Sequence, residues 1–282
     1  MPSARFSPSY GQPKFDEIRA REVLRLLSQA TAASRGLVSE QDDLVENQLP
    51  GGVEKGGREH ARFLFMTVPC DRGTKSSALW SRAKSAFLEY PALFDLEAIA
   101  ARPGRARPRI ATLLSTTLRP RYVNLAADHW TANAARLVRQ FGGDARRVFA
   151  ADDALGAYGA IRSFRGFGPK TGGMMLRVAA GLGWASSRNI EQVELPVDIH
   201  DTRISVQTGI LRLDREKRAH LEANGAAGLA APVRRFLTQM CMREGLAWPD
   251  LDRALWLIGS RGCARRRCSE CPLLRVCDVP SS

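Results

Sequence analysis

The sequence predicts an all-α protein. Apolar residues recur at helical spacing along most of the chain, whereas alternating, strand-like runs are scarce. Clusters of glycine and proline separate these helical stretches, as expected of loops that join helices. The length of 282 residues is enough for one large domain or for two modest ones, each with its own core.

Four helices are predicted from these apolar stripes. The first covers residues 76–87 and follows two serines, which are favourable helix starters. A longer stripe keeps helical spacing over residues 123–141 and is stopped by Gly142 and its neighbouring glycine. Two further stripes cover residues 155–164 and 233–240. No internal repeat of solenoid period is present.

The segments between the stripes are predicted to be irregular. Residues 49–57 are rich in glycine, and residues 181–193 are polar in their middle. The basic segment Arg102–Arg109 contains two prolines and a glycine and is interpreted as an exposed connection. Val193–Val197 is the best candidate for a short extended segment.

The charge balance favours a polyanionic partner. Lys and Arg number 42 and Asp and Glu number 29, which gives a formal net charge of +13. Nucleic acid and an anionic membrane surface both fit this charge, and an ordinary basic protein remains the alternative. No apolar run reaches the length of a membrane span. The segment Met1–Phe15 lacks the apolar core of a signal peptide, so we expect a cytoplasmic location, with the nucleoid if the source is bacterial.

The segment Phe164–Thr171 lies between two predicted helices and contains two glycines one residue apart. Pro169 suits the first turn of the following helix, where its missing N–H costs nothing. The pattern predicts helix, tight turn and helix, with the amides of the second helix available to a phosphate. Lys170 in that first turn opposes the helix dipole, which is unfavourable unless an anion or a reaction requires it. An ordinary connection between packed helices is the alternative.

Asp198 follows an extended, proline-containing segment and is placed to cap the next helix. A capping role and a catalytic role are compatible, because the cap fixes where the carboxylate points. His200 is interpreted as a structural histidine, and Asp201 with Arg203 as a solvated helix face.

Four of the six cysteines crowd into residues 263–277 with the spacing C-x4-C-x2-C-x5-C. In a reducing compartment this pattern indicates a metal site rather than disulfides. Four thiolates suit tetrahedral zinc or an iron–sulfur cluster, and the spacing alone leaves both open. Three arginines between the first two cysteines predict phosphate contacts. The proposed ligands are Cys263, Cys268, Cys271 and Cys277, and the three arginines are Arg265, Arg266 and Arg267.

Three motifs in this order resemble the helix-hairpin-helix DNA glycosylases, and most closely the endonuclease III branch with its iron–sulfur loop. Phe164 to Gly172 is similar to the family's hairpin, with both glycines, the lysine and the threonine in register. Val197 to Ile204 is similar to the family's Val-Asp-Thr-His-x-x-Arg-Val motif. The cysteine pattern resembles C-x6-C-x2-C-x5-C with two residues fewer in its first gap. The resemblance covers about residues 120–277.

The resemblance implies a two-lobed fold. A six-helix lobe over residues 59–183 would end in the hairpin, and residues 1–58 and 184–282 would form a second lobe with the 4Fe–4S loop at 263–277. The active cleft would lie between the lobes, with Lys170 on one wall and Asp198 on the other. The family's lobe usually carries an early glutamine, which the segment Val68–Lys75 lacks, so the target base is left open.

The function implied by this resemblance is that of a monomeric DNA glycosylase with apurinic/apyrimidinic (AP) lyase activity. Its partner would be double-stranded DNA with a damaged or modified base, or with an abasic site. Lys170 would form a Schiff base with the sugar, assisted by Asp198. Two alternatives stay open: a non-catalytic DNA-binding protein of the same fold, and a zinc-bearing regulator. The expected DNA contacts in the hairpin are Gly166, Phe167, Gly168 and Thr171.

Overall fold

The computed structural model describes residues 12–214, 216–218, 221 and 228–278. The described chain is mostly helical, so the all-α prediction is confirmed. Its only sheet is one antiparallel pair of two-residue strands, β1 (Lys14–Phe15) and β2 (Leu211–Arg212), in which Lys14 faces Arg212. None of the described helices is long and apolar enough to cross a membrane.

The chain divides into two compact units. Unit 1 comprises the described residues of Met1–Gln41 and Glu191–Ser282, and unit 2 comprises Asp42–Ile190. Unit 2 therefore extends further at both ends than the predicted lobe over residues 59–183. The reason is packing at each end: a buried ion pair joins Glu46 to Arg177, and the backbone amide of Ala154 donates to the carbonyl of Arg188 over 2.9 Å.

The helices of unit 2 begin and end where local chemistry dictates. In chain order they are α2 (Arg58–Thr67), α3 (Ser76–Glu89), α4 (Pro91–Phe94), α5 (Leu96–Ala101), α6 (Pro103–Thr116), α7 (Val123–Phe141), α8 (Ala154–Arg162) and α9 (Pro169–Gly181). Helix α7 ends, as predicted, at Gly142, whose φ of +61° suits a left-handed C-cap. Asp153 caps α8 by accepting a hydrogen bond from the amide of Gly156 over 2.9 Å.

The core of unit 2 is built around two phenylalanines of α2. The Phe63 ring packs against the rings of Trp80, Phe87 and Phe94, at centroid distances of 5.8, 5.5 and 6.1 Å. Phe65, on the same helix, packs against the two phenylalanine rings of the α8–α9 turn. Phe63 and the three rings around it belong to α2, α3 and α4, so their packing holds those three helices together.

The segment predicted as an exposed connection, Arg102–Arg109, is helical, so that prediction is wrong. Helix α6 begins at Pro103, in the first-turn position that proline tolerates. Pro108 lies inside the helix and removes the amide that would bond to the carbonyl of Gly104. Gly104 is exposed and a Cβ placed on it would meet no atom within 4 Å, so water can satisfy that carbonyl.

Unit 1 is formed by α1 (Glu17–Ala33), α10 (Ile199–Gln207), α11 (Ala230–Arg243) and α12 (Trp248–Leu257). Asp16 caps α1 by accepting a hydrogen bond from the amide of Arg19 over 3.0 Å. A π-helical turn, Ile258–Gly262, continues α12 and leads into short 3-10 turns that carry the cysteines. The segment Val193–Val197 forms no strand. Its Val197 amide donates to the carbonyl of Leu195 over 2.8 Å, and its Leu195 amide donates to Thr238 Oγ1 over 2.9 Å.

Candidate functional site

The turn between α8 and α9 has the predicted helix–turn–helix geometry. Gly166 has a φ of +87°, which favours glycine, and Gly168 is the extended N-cap of α9. A Cβ placed on Gly166 would lie 2.7 Å from Pro69 Cβ and 3.0 Å from His129 Nδ1. The turn is therefore tight for two reasons, its backbone conformation and the close approach of its neighbours.

Helix α7 holds this turn in place. The Asn133 side chain donates to the carbonyl of Arg165 over 2.9 Å and accepts from the amide of the same residue over 3.0 Å. Arg136 Nη1 donates to the carbonyl of Ser163 over 2.6 Å, and its guanidinium lies 4.4 Å from the Phe164 ring centroid. These contacts fix the entry into α9, although neither side chain belongs to the hairpin motif.

The side chain of Phe167 anchors the turn to the core of unit 2. Its side chain is buried and packs on Phe65 with a centroid distance of 4.8 Å, while Phe164 packs on the same ring at 4.9 Å. A DNA contact from Phe167 can therefore involve only its backbone. Gly168 is exposed, and Thr171 is half-buried in the first turn of α9.

Lys170 occupies the second position of α9, directly after Pro169, and is half-buried. The amide-rich N-terminus of the helix and the lysine side chain thus share one short segment of unit 2. Since the helix dipole disfavours a cation at this end, Lys170 occupies an electrostatically unfavourable position in the helix.

Asp198 caps α10 in unit 1. Its Oδ1 accepts from the amides of His200 over 2.6 Å and Asp201 over 3.4 Å. In return, Asp201 Oδ2 accepts from the amide of Asp198 over 2.6 Å, so the two residues form a reciprocal capping box. The half-buried Asp198 carboxylate is therefore held in one orientation by the backbone of its own helix.

The interpretation of Asp201 as part of a solvated face is wrong. Its side chain is only 2% exposed, and burial, followed by the neighbouring Asp198 and Asp252 carboxyls, raises the pKa of Asp201 well above its usual range. A carboxyl beside two others in a buried site tends to hold a proton. An acid three residues after an acidic N-cap is a capping-box signal that could have indicated this reciprocal pairing from the sequence.

The four clustered cysteines lie on consecutive short turns and are half-buried. Burial raises the pKa of Cys263, and the nearby thiols of Cys277 and Cys268 raise it further. Burial also raises the pKa of Cys271 to about 11, with smaller contributions from the other three thiols. The four sulfur atoms therefore lie within electrostatic range of one another, in a loop anchored by the buried Leu273 and Val276.

Metal binding by this loop depends on how its thiols are arranged. Among the described residues, no group of three or more His, Cys, Asp or Glu side chains is arranged to hold a metal ion. A tetrahedral zinc ion requires sulfur atoms about 3.8 Å apart, whereas an iron–sulfur cluster is bound by thiolates around a larger body. Four half-buried thiols on one loop supply the ligand chemistry of either group, but the structure does not draw them together around a metal.

The three arginines of the loop differ from one another. Arg265 and Arg266 are exposed. Arg267 instead donates to Glu40 over 2.9 Å and to Glu270 over 2.7 Å, and these bonds raise its pKa above the usual range. Arg267 thus holds the loop to the N-terminal segment, which leaves Arg265 and Arg266 as the candidates for phosphate contacts.

Helix α10 packs directly on the turn that precedes the cysteines. A Cβ placed on Gly259 would lie 2.4 Å from His200 Cβ, so only glycine allows this approach. At the other end of α10, the Cys263 thiol donates to Gln207 Oε1 over 3.7 Å. His200 therefore contributes to packing, and α10 connects the candidate carboxylate to the cysteine loop within unit 1.

The two remaining cysteines are structural. Cys70 and Cys241 are both buried, and burial raises the pKa of each thiol to about 12. Such thiols are inert as nucleophiles at neutral pH.

Comparison of the chain with protein-family models, with curated protein sequences and with solved structures finds no match in any of the three. The candidate site therefore stands on its own geometry. Lys170 belongs to unit 2, and Asp198 and the cysteine loop belong to unit 1.

Proposed function

We propose that this chain is a DNA glycosylase with AP lyase activity, of the helix-hairpin-helix superfamily. Its substrate class is duplex DNA that contains a damaged or modified base or an abasic site. The observation that carries the proposal is Lys170 in the first turn of α9, immediately after the tight turn at Gly166. The mostly helical chain, its two compact units and the reciprocal cap at Asp198 support it.

Lys170 is the proposed nucleophile. A base in a duplex must first leave the stack before its sugar is accessible. The neutral amine of Lys170 then attacks the C1′ carbon, and the bond from C1′ to the base breaks with its electron pair leaving on the base. The ring opens to a Schiff base between Nζ and C1′. Loss of a proton from C2′ then expels the 3′ phosphate, and water releases the lysine.

Asp198 is the proposed electrostatic partner of this step. Positive charge grows on the sugar as the base departs, and a fixed carboxylate stabilises that charge. The bonds from His200 and Asp201 amides to Oδ1 hold the carboxylate in place before the reaction starts. The same carboxylate is a candidate general base for the proton that the amine loses.

The cysteine loop is the proposed site of a 4Fe–4S cluster, held by Cys263, Cys268, Cys271 and Cys277. Such a cluster would supply structural order to the loop, with no redox step. The exposed Arg265 and Arg266 would then contact DNA phosphates together with the amides near Gly166 and Gly168.

Borohydride trapping tests the proposal. The full-length protein is incubated with an abasic-site duplex and sodium borohydride, which reduces a Schiff base to a stable covalent bond. We expect covalent complex and strand cleavage with the unmodified protein, and neither with Lys170→Gln. Asp198→Asn should slow excision or trapping by a factor of about 100 to 1,000 while leaving DNA binding intact.

Two matched variants serve as controls. Lys84→Gln removes another half-buried lysine of unit 2, and Asp95→Asn changes another N-cap, where asparagine caps as well as aspartate. Both should react like the unmodified protein. Equal trapping by Lys170→Gln and the unmodified protein would refute the assignment, and binding without any trapping would favour the non-catalytic alternative.

A further inference from the structure

A group of basic and aromatic side chains in unit 2 reaches the α8–α9 turn through His129 and Arg165, and the proposed chemistry does not use it. We call it the His129 cluster; its members are Arg72, Arg121, Tyr122, His129 and Arg165. All of them belong to unit 2, and all except the half-buried His129 are exposed.

The Tyr122 ring is flanked by two guanidinium groups. The Cζ atoms of Arg121 and Arg72 lie 5.4 and 6.0 Å from its ring centroid, within the range of cation–π contacts. A Cβ placed on Gly73 would lie 2.9 Å from Arg121 Cδ, so the loop that carries Arg72 packs closely on Arg121. Tyr122 nevertheless remains 48% exposed.

His129 lies against the turn itself. Its Nδ1 is 3.0 Å from the Cβ position of Gly166. Burial lowers the pKa of His129 below its usual range; Arg165 and Arg72 lower it further, while Asp128 opposes them. The imidazole is therefore neutral at pH 7 in the free protein, between two cations.

The positive charge of this cluster is not balanced within the described part of the chain. Asp128, the carboxylate that acts on His129, accepts a hydrogen bond from Arg107 over 2.5 Å, and this bond lowers the pKa of Asp128. No described carboxylate forms a salt bridge with Arg72, Arg121 or Arg165. The surface therefore combines three guanidinium groups with a histidine whose pKa is lowered. An external anion would stabilise it.

We propose that the His129 cluster is an interaction surface for a nucleic-acid strand, on which His129 takes up a proton from solvent when a phosphodiester binds. The bound phosphate gives the imidazolium the anionic partner that it lacks in the free protein. The exposed tyrosine between guanidinium groups suits a nucleotide better than a simple anion, because bases stack on aromatic and arginine planes. The choice of nucleic acid as the anion rests on the proposed function.

Binding as a function of pH and salt tests this proposal. The probe is a fluorescently labelled duplex with a tetrahydrofuran abasic analogue, which cannot form a Schiff base. Affinity for the unmodified protein should rise as pH falls from 7.5 to 5.5, because the histidine is protonated only in the complex. His129→Gln should keep the affinity at pH 7.5 within about threefold and lose this rise.

The arginines are tested through the salt dependence. Arg72→Gln, Arg121→Gln and Arg165→Gln should each reduce the slope of log affinity against log salt by about 0.9. Arg105→Gln, an exposed arginine on α6, is the matched control and should leave the slope unchanged. Circular dichroism and urea unfolding verify that each variant is folded, and His129→Asn provides a second replacement if His129→Gln is not.

Each outcome decides the proposal. A rise in affinity at low pH that persists in both His129 variants would overturn it, as would arginine variants that behave like Arg105→Gln. Competition by poly-glutamate as strong as that by single-stranded DNA would overturn the nucleic-acid assignment. Trapping measured in parallel separates the two proposals: pH-linked binding without trapping refutes only the glycosylase, and trapping without pH-linked binding refutes only the surface.

Discussion

Asp201 illustrates how one side chain takes its chemistry from residues distant in the sequence. Its own neighbours, Asp198 and Arg203, suggest an exposed polar helix face. Packing of α10 against α12 instead buries the carboxyl beside Asp252. Burial and two neighbouring carboxyls disfavour the ionised form of Asp201 and raise its pKa well above the usual range.

Asp201→Asn should stabilise the protein at neutral pH. The pKa of this carboxyl is 3.8 when unfolded and well above that when folded, so the native state binds the extra proton. The unfolding free energy of the unmodified protein therefore falls as pH rises through and above about 4, and asparagine removes this loss. We expect a gain in unfolding free energy at pH 7 and little gain at pH 3.5, measured by urea unfolding at each pH.

A variant of opposite sign is the control for this experiment. Arg146 lowers the pKa of Asp144, so ionised Asp144 contributes stability above the unfolded pKa that is lost in acid. Asp144→Asn should therefore weaken the protein at pH 7 more than at pH 3.5. If Asp201→Asn follows the same trend as Asp144→Asn, Asp201 is ionised at neutral pH and the assignment is wrong.

At the scale of elements, the helix–turn–helix could be predicted because its determinants are local. Gly166 accepts a positive φ, Pro169 starts a helix, and Lys170 follows in the first turn. The anchoring of the turn could not be predicted, since Asn133 and Arg136 precede it by about thirty residues and carry no motif. Helix α6 was also missed, because two prolines predict a break, whereas Pro103 starts the helix and Pro108 is accommodated inside it.

Asn133→Ala should loosen the hairpin turn. The substitution removes both hydrogen bonds to the part-buried amide and carbonyl of Arg165, each worth about 0.5 to 1.5 kcal/mol of unfolding free energy. We also expect slower trapping, because the amine of Lys170 depends on this turn for its position. Asn124→Ala, on the exposed side of the same helix α7, is the control. Equal urea midpoints for the two variants would show that Asn133 does not hold the turn.

At the scale of the whole molecule, the sequence shows the net charge and the order of the motifs directly. It does not show where one compact unit ends and the other begins. The +13 charge and the cysteine spacing are readable directly. The boundary at residues 41 and 42 depends on long-range pairs, such as Glu46 with Arg177, that no local pattern reveals.

Metal content and removal test the cysteine loop in the intact protein. Purified protein should be yellow-brown with about four iron atoms per chain. Cys268→Ser or iron chelation should increase hydrogen exchange in the described parts of residues 191–278, because an ordered cluster would no longer hold the loop. Exchange in α8 and α9 of unit 2 should change little. A colourless protein with one zinc per chain would support the zinc-bearing alternative instead.

The packing of the N-terminal segment on the cysteine loop has a consequence for protein synthesis. Leu37 fits against Gly262 so closely that a Cβ there would lie 2.5 Å from its Cδ1, and Glu40 holds Arg267. Residues 42–190 are contiguous and can fold while the ribosome is still translating the remainder. Helix α1 is translated earlier, but its apolar face stays exposed until its packing partners in residues 248–278 leave the ribosome. We therefore expect nascent chains arrested before that point to recruit chaperones through α1.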